Sequence, residues 1–324
     1  MNDLFLPQAD RAALMPGASY SIPGLFLYSD LIYECLAQVK DKLGYTIPVE
    51  YLYGSPKVPW NCGRLIITDE HYTIADIERE LAGAVAHGIK PLLTFSVPHL
   101  PVKELGDPFC NEILAVLDRV GGGVIVSSPL LAQYIRDRWP NVEVHASVIL
   151  TAYTEERDAA YYAGLSRDYA RYVVHPDDNF EPELLAQIPK ENATIIVNER
   201  CVRHCAQRRE HYESMVQDQI ALIEGGSLSN FLDRCPFVPD IKQRDTTARN
   251  ATLTIPQVLR LHEMGFQQFK LQGRLDIPYV FFFDFLRYTL ENEVAFPAVY
   301  PIFSFTIKEY LKAKARRRAA QGRG

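Results

Sequence analysis

Cys62, Cys201, Cys205 and Cys235 sit among polar, basic and turn residues, poor surroundings for a thiol used as a hydrophobe. Cys201 and Cys205 belong to Asn198–Tyr212, which follows the apolar run Ala193–Val197, so this segment is expected where a buried strand ends and a helix begins. On a helix start, the four-residue spacing turns both sulfurs to one face, where they can reach one ion or cluster. A positive helix terminus and the nearby Arg200, Arg203 and Arg208 would favour thiolates. Cys235 precedes Pro236, a turn device also found beside cluster cysteines. Cys62 is the candidate fourth ligand, because the loop Gly54–Arg64 is expected to leave the first barrel strand toward the same mouth. Structural zinc sites usually show two close cysteine pairs, whereas this chain has a single, wider one, so scattered thiolates suit a 4Fe-4S cluster better than zinc. Zinc with His204 or His211 as a ligand, a three-cysteine cluster with an open iron, and no metal remain the other readings. Cys35 falls in an apolar helical pattern and Cys110 follows Pro108-Phe109; both read as structural.

The elements that must hold such a site are short β-rich runs, each followed by a helical pattern. The runs are Val49–Tyr53, Pro91–Val97, Gly123–Ser127, Val142–Leu150, Tyr172–His175, Thr194–Asn198 and Gln268–Gln272. Between them, apolar spacing of three and four predicts helices at Ile74–His87, Asn111–Val120, Pro129–Arg138, Glu155–Ala163 and Ile255–Met264, with an earlier one at Ser29–Leu43. Strands alternating with helices imply a parallel sheet covered on both faces. The length of 324 residues fits a single (β/α)8 TIM-like barrel. The missing strand is expected between about 206 and 254. The organisation read from this is an N-terminal arm or irregular first strand at 1–24, a barrel at 25–306 and a basic, unstructured tail at 307–324. A doubly wound sheet lacks the Gly-rich phosphate loop a nucleotide-binding version would need.

In a barrel, chemistry gathers where the strands end. Those positions here are polar: Ser96 and His99, Ser127 and Ser128, His145 and Ser147, His175 and Asp177, Asn198 and Glu199, Lys270 and Arg274. The ring predicts a polar pocket, with His145, His175 and Glu199 as candidate acids or bases.

Six cysteines are too few for a disulfide scaffold, no apolar run approaches the ~20 residues of a membrane span, and Met1–Pro16 makes a poor secretory signal. The expected setting is the cytoplasm. The net charge of −6 hides an asymmetry: Lys308–Gly324 carries seven basic residues against Glu309, so an end of +6 hangs on a body of about −12. Such an end can contact nucleic acid or stay solvated. Tyr279–Tyr288, rich in Phe and Tyr, reads as a helix covering the barrel bottom, with a stacking platform or subunit interface as the other reading.

Three blocks carry a resemblance. Val49–Gly54 followed by Asn61-Cys62-Gly63-Arg64, then Asn198-Glu199-Arg200-Cys201, and finally Met264–Arg274 ending in Lys270-Leu-Gln-Gly-Arg274, resemble the collagenase-like peptidase family U32 over roughly residues 25–275. The likeness is greatest to its small iron–sulfur members that support oxygen-independent hydroxylation in anaerobic ubiquinone synthesis. The resemblance implies a 4Fe-4S cluster on Cys62, Cys201, Cys205 and Cys235. It also implies hydroxylation of an aromatic ring or nucleobase, with a carboxylated oxygen donor in some members. Arg64, Asn198, Lys270 and Arg274 would bind the substrate or donor, with Arg274 also among the catalytic candidates. Related members act as pairs of subunits, so a hetero-oligomer is expected. Two alternatives stand beside this reading: a non-catalytic cluster subunit that binds RNA or a partner, and a peptidase-like hydrolase. The second finds neither a Gly-x-Ser-x-Gly elbow nor a His-Glu-x-x-His pair in this sequence.

Overall fold

The computed structural model describes residues 11–62, 71–229, 231, 235, 250–273 and 278–320. Eight parallel strands close into one barrel in sequence order. They are β1 (Ser19–Pro23), β2 (Val49–Gly54), β3 (Lys90–Phe95), β4 (Gly122–Val126), β5 (Val142–Ala146), β6 (Arg171–Val173), β7 (Ala193–Ile196) and β8 (Gln268–Lys270). Outside them lie α1 (Ser29–Leu43), α2 (Ile74–Ala86), α3 (Pro108–Val120), α4 (Pro129–Arg138), α5 (Val148–Ala152), α6 (Ala159–Asp168), α7 (Pro182–Gln187), α8 (Arg208–Glu224), α9 (Ile255–Glu263), α10 (Pro278–Thr289) and α11 (Ala295–Ala320). The TIM barrel expected from the alternating pattern is the fold.

The eighth strand is not between 206 and 254, where α8 lies instead. It is β1, which pairs with β2 on one side and β8 on the other and so closes the ring. Ser19–Pro23 carries a weak strand signal, being five residues long and following the turn at Pro16-Gly17, and the barrel begins there, before residue 25. Its alternation is that of a barrel strand: Tyr20 and Ile22 join the outer core, and Ser21 lines the interior. β5 also stops at Ala146 rather than Leu150, because the Ser147 hydroxyl accepts from Ile149 N at 3.1 Å and starts α5. Asp158 caps α6 in the same way, moving that helix later than the expected Glu155–Ala163.

The basic end is part of a helix. α11 packs along α1, with Phe303 and Ile307 buried and Gln38 Nε2 donating to Thr306 Oγ1 at 2.7 Å, and it continues through Lys308 and Lys312. The aromatic α10 is the outer helix that follows β8 rather than a plug for the barrel bottom. Phe281 stacks on Tyr28 and Phe282 meets Phe303 edge-on.

Most of the apolar core lies between the strands and the helices. The barrel interior holds a small apolar group, Tyr51, Tyr53, Leu92 and Ile125, beside polar side chains. At its N-terminal end Arg171 donates to both oxygens of Glu50 (2.8 and 3.0 Å), and Gln268 and Ser19 donate to the same carboxylate. Tyr51 OH and Lys90 donate to Glu143. The space left among these groups is about 10 Å³, so the interior is a filled core and not a channel. Gly54 ends β2 where the chain crosses closely: a Cβ there would stand 2.3 Å from Leu25 O.

Candidate functional site

Part of the polar ring expected at the strand ends lies at the C-terminal mouth of the barrel, where period-two alternation places it. Leu92 and Ile125 face inward, so Thr94, Ser96 and Ser127 do as well. By the same alternation His175, Asn198 and Gln272 follow the inward positions Val173, Ile196 and Lys270.

α8 spans this mouth. Arg208 at its start donates to Asp177 Oδ1 at 3.1 Å in the loop after β6. Arg209 donates to the carbonyls of Ala152 and Tyr153 beyond β5. Glu213 accepts from Tyr153 OH at 2.5 Å and lies 3.3 Å from His99 Nε2 in the loop after β3. Gln219 Oε1 accepts from Asn61 Nδ2 at 3.3 Å, and Asn61 Oδ1 in turn accepts from Thr94 Oγ1 at 2.9 Å inside the barrel. The buried residues of the helix are Arg208, Asp218 and Gln219, so polar contacts hold much of it over the ring.

Cys201 and Cys205 lie in the irregular segment before α8 rather than on its first turn; the helix starts at Arg208. The reason is local. His204 takes a left-handed backbone (φ 51°), and Glu199 Oε1 accepts from Cys201 N at 3.1 Å, which folds the loop back on itself. The two thiols are nevertheless close enough to act on each other electrostatically. Burial pushes the Cys201 thiol up to about 12, with Arg208 pulling the other way, so the basic surroundings do not by themselves make it a thiolate. Cys62 is buried after β2, and its thiol donates to Tyr212 O at 3.6 Å. Tyr212, on α8, is within electrostatic reach of both Cys201 and Cys62. Cys235 is half-buried, with the residues on either side of it outside those described. Among the described residues, no three Cys, His, Asp or Glu side chains are gathered as a metal-binding set. One feature fits added negative charge: Arg208 Nη1 is buried without a partner among the described residues, on a guanidinium surrounded by Tyr212, Glu199, Cys201 and Asp177.

The other expected site residues separate into three groups. His175 belongs to the mouth. Its Nδ1 accepts from Asp177 N at 3.3 Å, which places the ring proton on Nε2. Burial first, then Arg208 and Arg157, hold its pKa down to about 2, so it is a neutral donor and no base poised near neutrality. Glu199 and Asn198 are braces: Glu199 Oε2 accepts from Gln272 Nε2 at 2.6 Å, while Asn198 exchanges bonds with the Gln272 backbone (2.7 and 3.0 Å). His145 and Lys270 sit deeper, in the barrel interior. His145 Nε2 is 3.1 Å from Glu143 Oε2 and its pKa is lowered by burial; Lys270 Nζ lies 4.2 Å over the Tyr53 ring. His145 is therefore tied to the N-terminal charge network and not to the mouth. Arg64 and Arg274 lie outside the described residues.

Sequence reasoning missed the pairing that stiffens the mouth. Arg157 makes a two-pronged contact with Asp178 (2.8 and 3.0 Å), and Tyr162 OH donates to the same carboxylate at 2.5 Å. It also missed Tyr212, Glu213 and Gln219. The one signal was the weak apolar periodicity of Arg208–Glu224, a helix whose buried positions are polar.

No family model and no curated protein matches this sequence. Solved structures do. A U32 peptidase superposes with a TM-score of 0.50 at 13% identity, covering 84% of this chain and 98% of its own. A chitinase from Rhizomucor miehei (TM-score 0.39, 9% identity, 88% and 99% covered) and a dihydropteroate synthase from Xanthomonas albilineans (0.32, 11%, 95% and 96%) are more distant. What this chain shares with the U32 peptidase is the barrel fold across nearly its whole length.

Proposed function

We propose that this chain is an iron–sulfur barrel enzyme, with a 4Fe-4S cluster on Cys62, Cys201, Cys205 and Cys235 at the C-terminal mouth. Its reaction is oxygen-independent hydroxylation of a small aromatic molecule or nucleobase bound under α8. The observation that carries the reading is the association of the Cys201–Cys205 pair and Cys62 with one helix, through Tyr212, beside the unpartnered Nη1 of Arg208. Bound there, a cluster would supply electron transfer or an open iron for substrate. Arg208 would balance thiolate charge, and Glu199 holds the Cys201 backbone in place. His175 offers a fixed Nε2 proton to a substrate oxygen, and α8 keeps water from the ring. Zinc on the same thiols is the rival occupant.

The test is anaerobic purification with iron, sulfide and zinc analysis, on wild type and on a Cys201→Ala, Cys205→Ala variant. About four irons with broad absorbance near 400 nm, lost in the variant, is the expected result. Stoichiometric zinc would make the site structural, and neither metal in protein never exposed to oxygen would overturn the proposal.

A second reading, a subunit that binds RNA, is favoured by α11. That helix carries Lys308, Lys312, Lys314 and Arg316 beside the exposed Phe305 and Ile302. RNA affinity that falls steeply with salt and is abolished by deleting residues 312–324 would support it; salt-independent behaviour would remove it.

A further inference from the structure

Four inward serines belong to the ring at the strand ends, and their hydroxyls do not share one fate. Ser55 donates to Pro56 O at 2.9 Å, and Ser147 accepts from Ile149 N at 3.1 Å. Ser96 and Ser127 are 2% and 3% exposed, and neither hydroxyl has a partner among the described residues. The two are neighbours: β3 and β4 pair in parallel with Phe95 opposite Val126, so the next residues past the strands, Ser96 and Ser127, stand side by side on the inner face. Two adjacent buried hydroxyls without partners cost stability that alanine would not. Such groups persist where something they bind repays them, and the C-terminal mouth is where barrels bind.

We infer that Ser96 and Ser127 form a subsite for an uncharged oxygen, carbonyl or hydroxyl, of a small ligand held in the mouth. Two features set the charge. The bonded groups next to the pair, Thr94, Asn61 and Gln219, are neutral, and the described buried guanidiniums of the mouth, Arg157 and Arg208, bond to Asp178 and Asp177 in the loop after β6 rather than beside β3 and β4. A serine hydroxyl both donates and accepts, so the pair can give two hydrogen bonds to a carbonyl, or exchange donor and acceptor roles with a phenol. Among the described residues, no cation bonds beside the pair to offset the burial of a carboxylate there. The inference shares with the proposed function the mouth as binding face, and it does not need the cluster.

The probes are phenol and benzoate, each followed by saturation-transfer NMR on the full chain, with Tm measured in parallel. Wild type is expected to bind phenol and to prefer it to benzoate. Ser96→Ala, Ser127→Ala should weaken phenol about tenfold or more, the loss of roughly one good hydrogen bond, while its Tm stays level or rises. Each single variant should lose part of the effect. Phenol bound equally by wild type and the double variant would overturn the subsite, with the hydroxyls then serving only water. No phenol binding by wild type would overturn it too, and benzoate bound as well as phenol would overturn the uncharged class. Phenol binding is expected to survive in Cys201→Ala, Cys205→Ala protein, so iron analysis can fail without failing this test, and the reverse.

Discussion

Arg208 reaches from the first turn of α8 to Asp177 Oδ1 at 3.1 Å, both side chains more than 90% buried, and so joins the helix over the mouth to the loop after β6. Its other bond, to Val202 O at 3.0 Å, ties in the cysteine segment. Arg208→Met leaves Asp177 as a buried, uncompensated charge and is expected to cost about 3–5 kcal/mol of stability. Asp177→Asn in the same chain should recover much of that loss. A urea double-mutant cycle checks both, and two independent, additive effects would contradict the pairing.

His175 gives the molecule a pH signature. Its folded pKa is depressed to about 2 against an ordinary 6.5, so below pH 6.5 the unfolded chain takes up a proton that the folded chain refuses. Stability must therefore fall as pH drops below about 6.5, by up to about 1.4 kcal/mol per pH unit. His145, also depressed by burial, acts in the same direction. His175→Gln should flatten the Tm profile between pH 6.5 and 5, and an unchanged slope would show that the imidazole titrates normally.

At the far end of the barrel, Arg171 carries the Glu50 carboxylate. Arg171→Met leaves that group to Ser19 and Gln268, and because the pair is partly exposed the expected cost is about 1–3 kcal/mol. Iron content should not change, since this network sits at the strand starts. Chemical denaturation with parallel metal analysis separates the two ends.

Gly54→Ala asks for a Cβ 2.3 Å from the Leu25 carbonyl oxygen, a backbone atom that cannot swing away. Overpacking of this kind should cost about 3 kcal/mol. Gly83→Ala, with open space around the new methyl, is the control expected to hold or gain stability.

The barrel was legible because its signals are local. Apolar runs of four to six residues alternate with helical spacing, and Ser29–Leu43 and Pro129–Arg138 are helices at the boundaries their patterns predict. The polar strand ends were legible for the same reason, since alternation alone sends Ser96, Ser127 and His175 to the mouth. Barrel closure was not: Ser19–Pro23 is five residues with a weak pattern of their own, and only pairing with both β2 and β8 makes them a strand. Nor could spacing separate His175 from His145. Both belong to β-rich runs, and what divides them is the partner each ring meets in the folded chain: the Glu143 carboxylate for one, the Asp177 amide for the other. The sequence by itself determined which residues face into the barrel. The tertiary structure decided which of them keep a spare bond, because hydrogen-bond satisfaction depends on neighbours from other strands and from α8, and no periodicity encodes those.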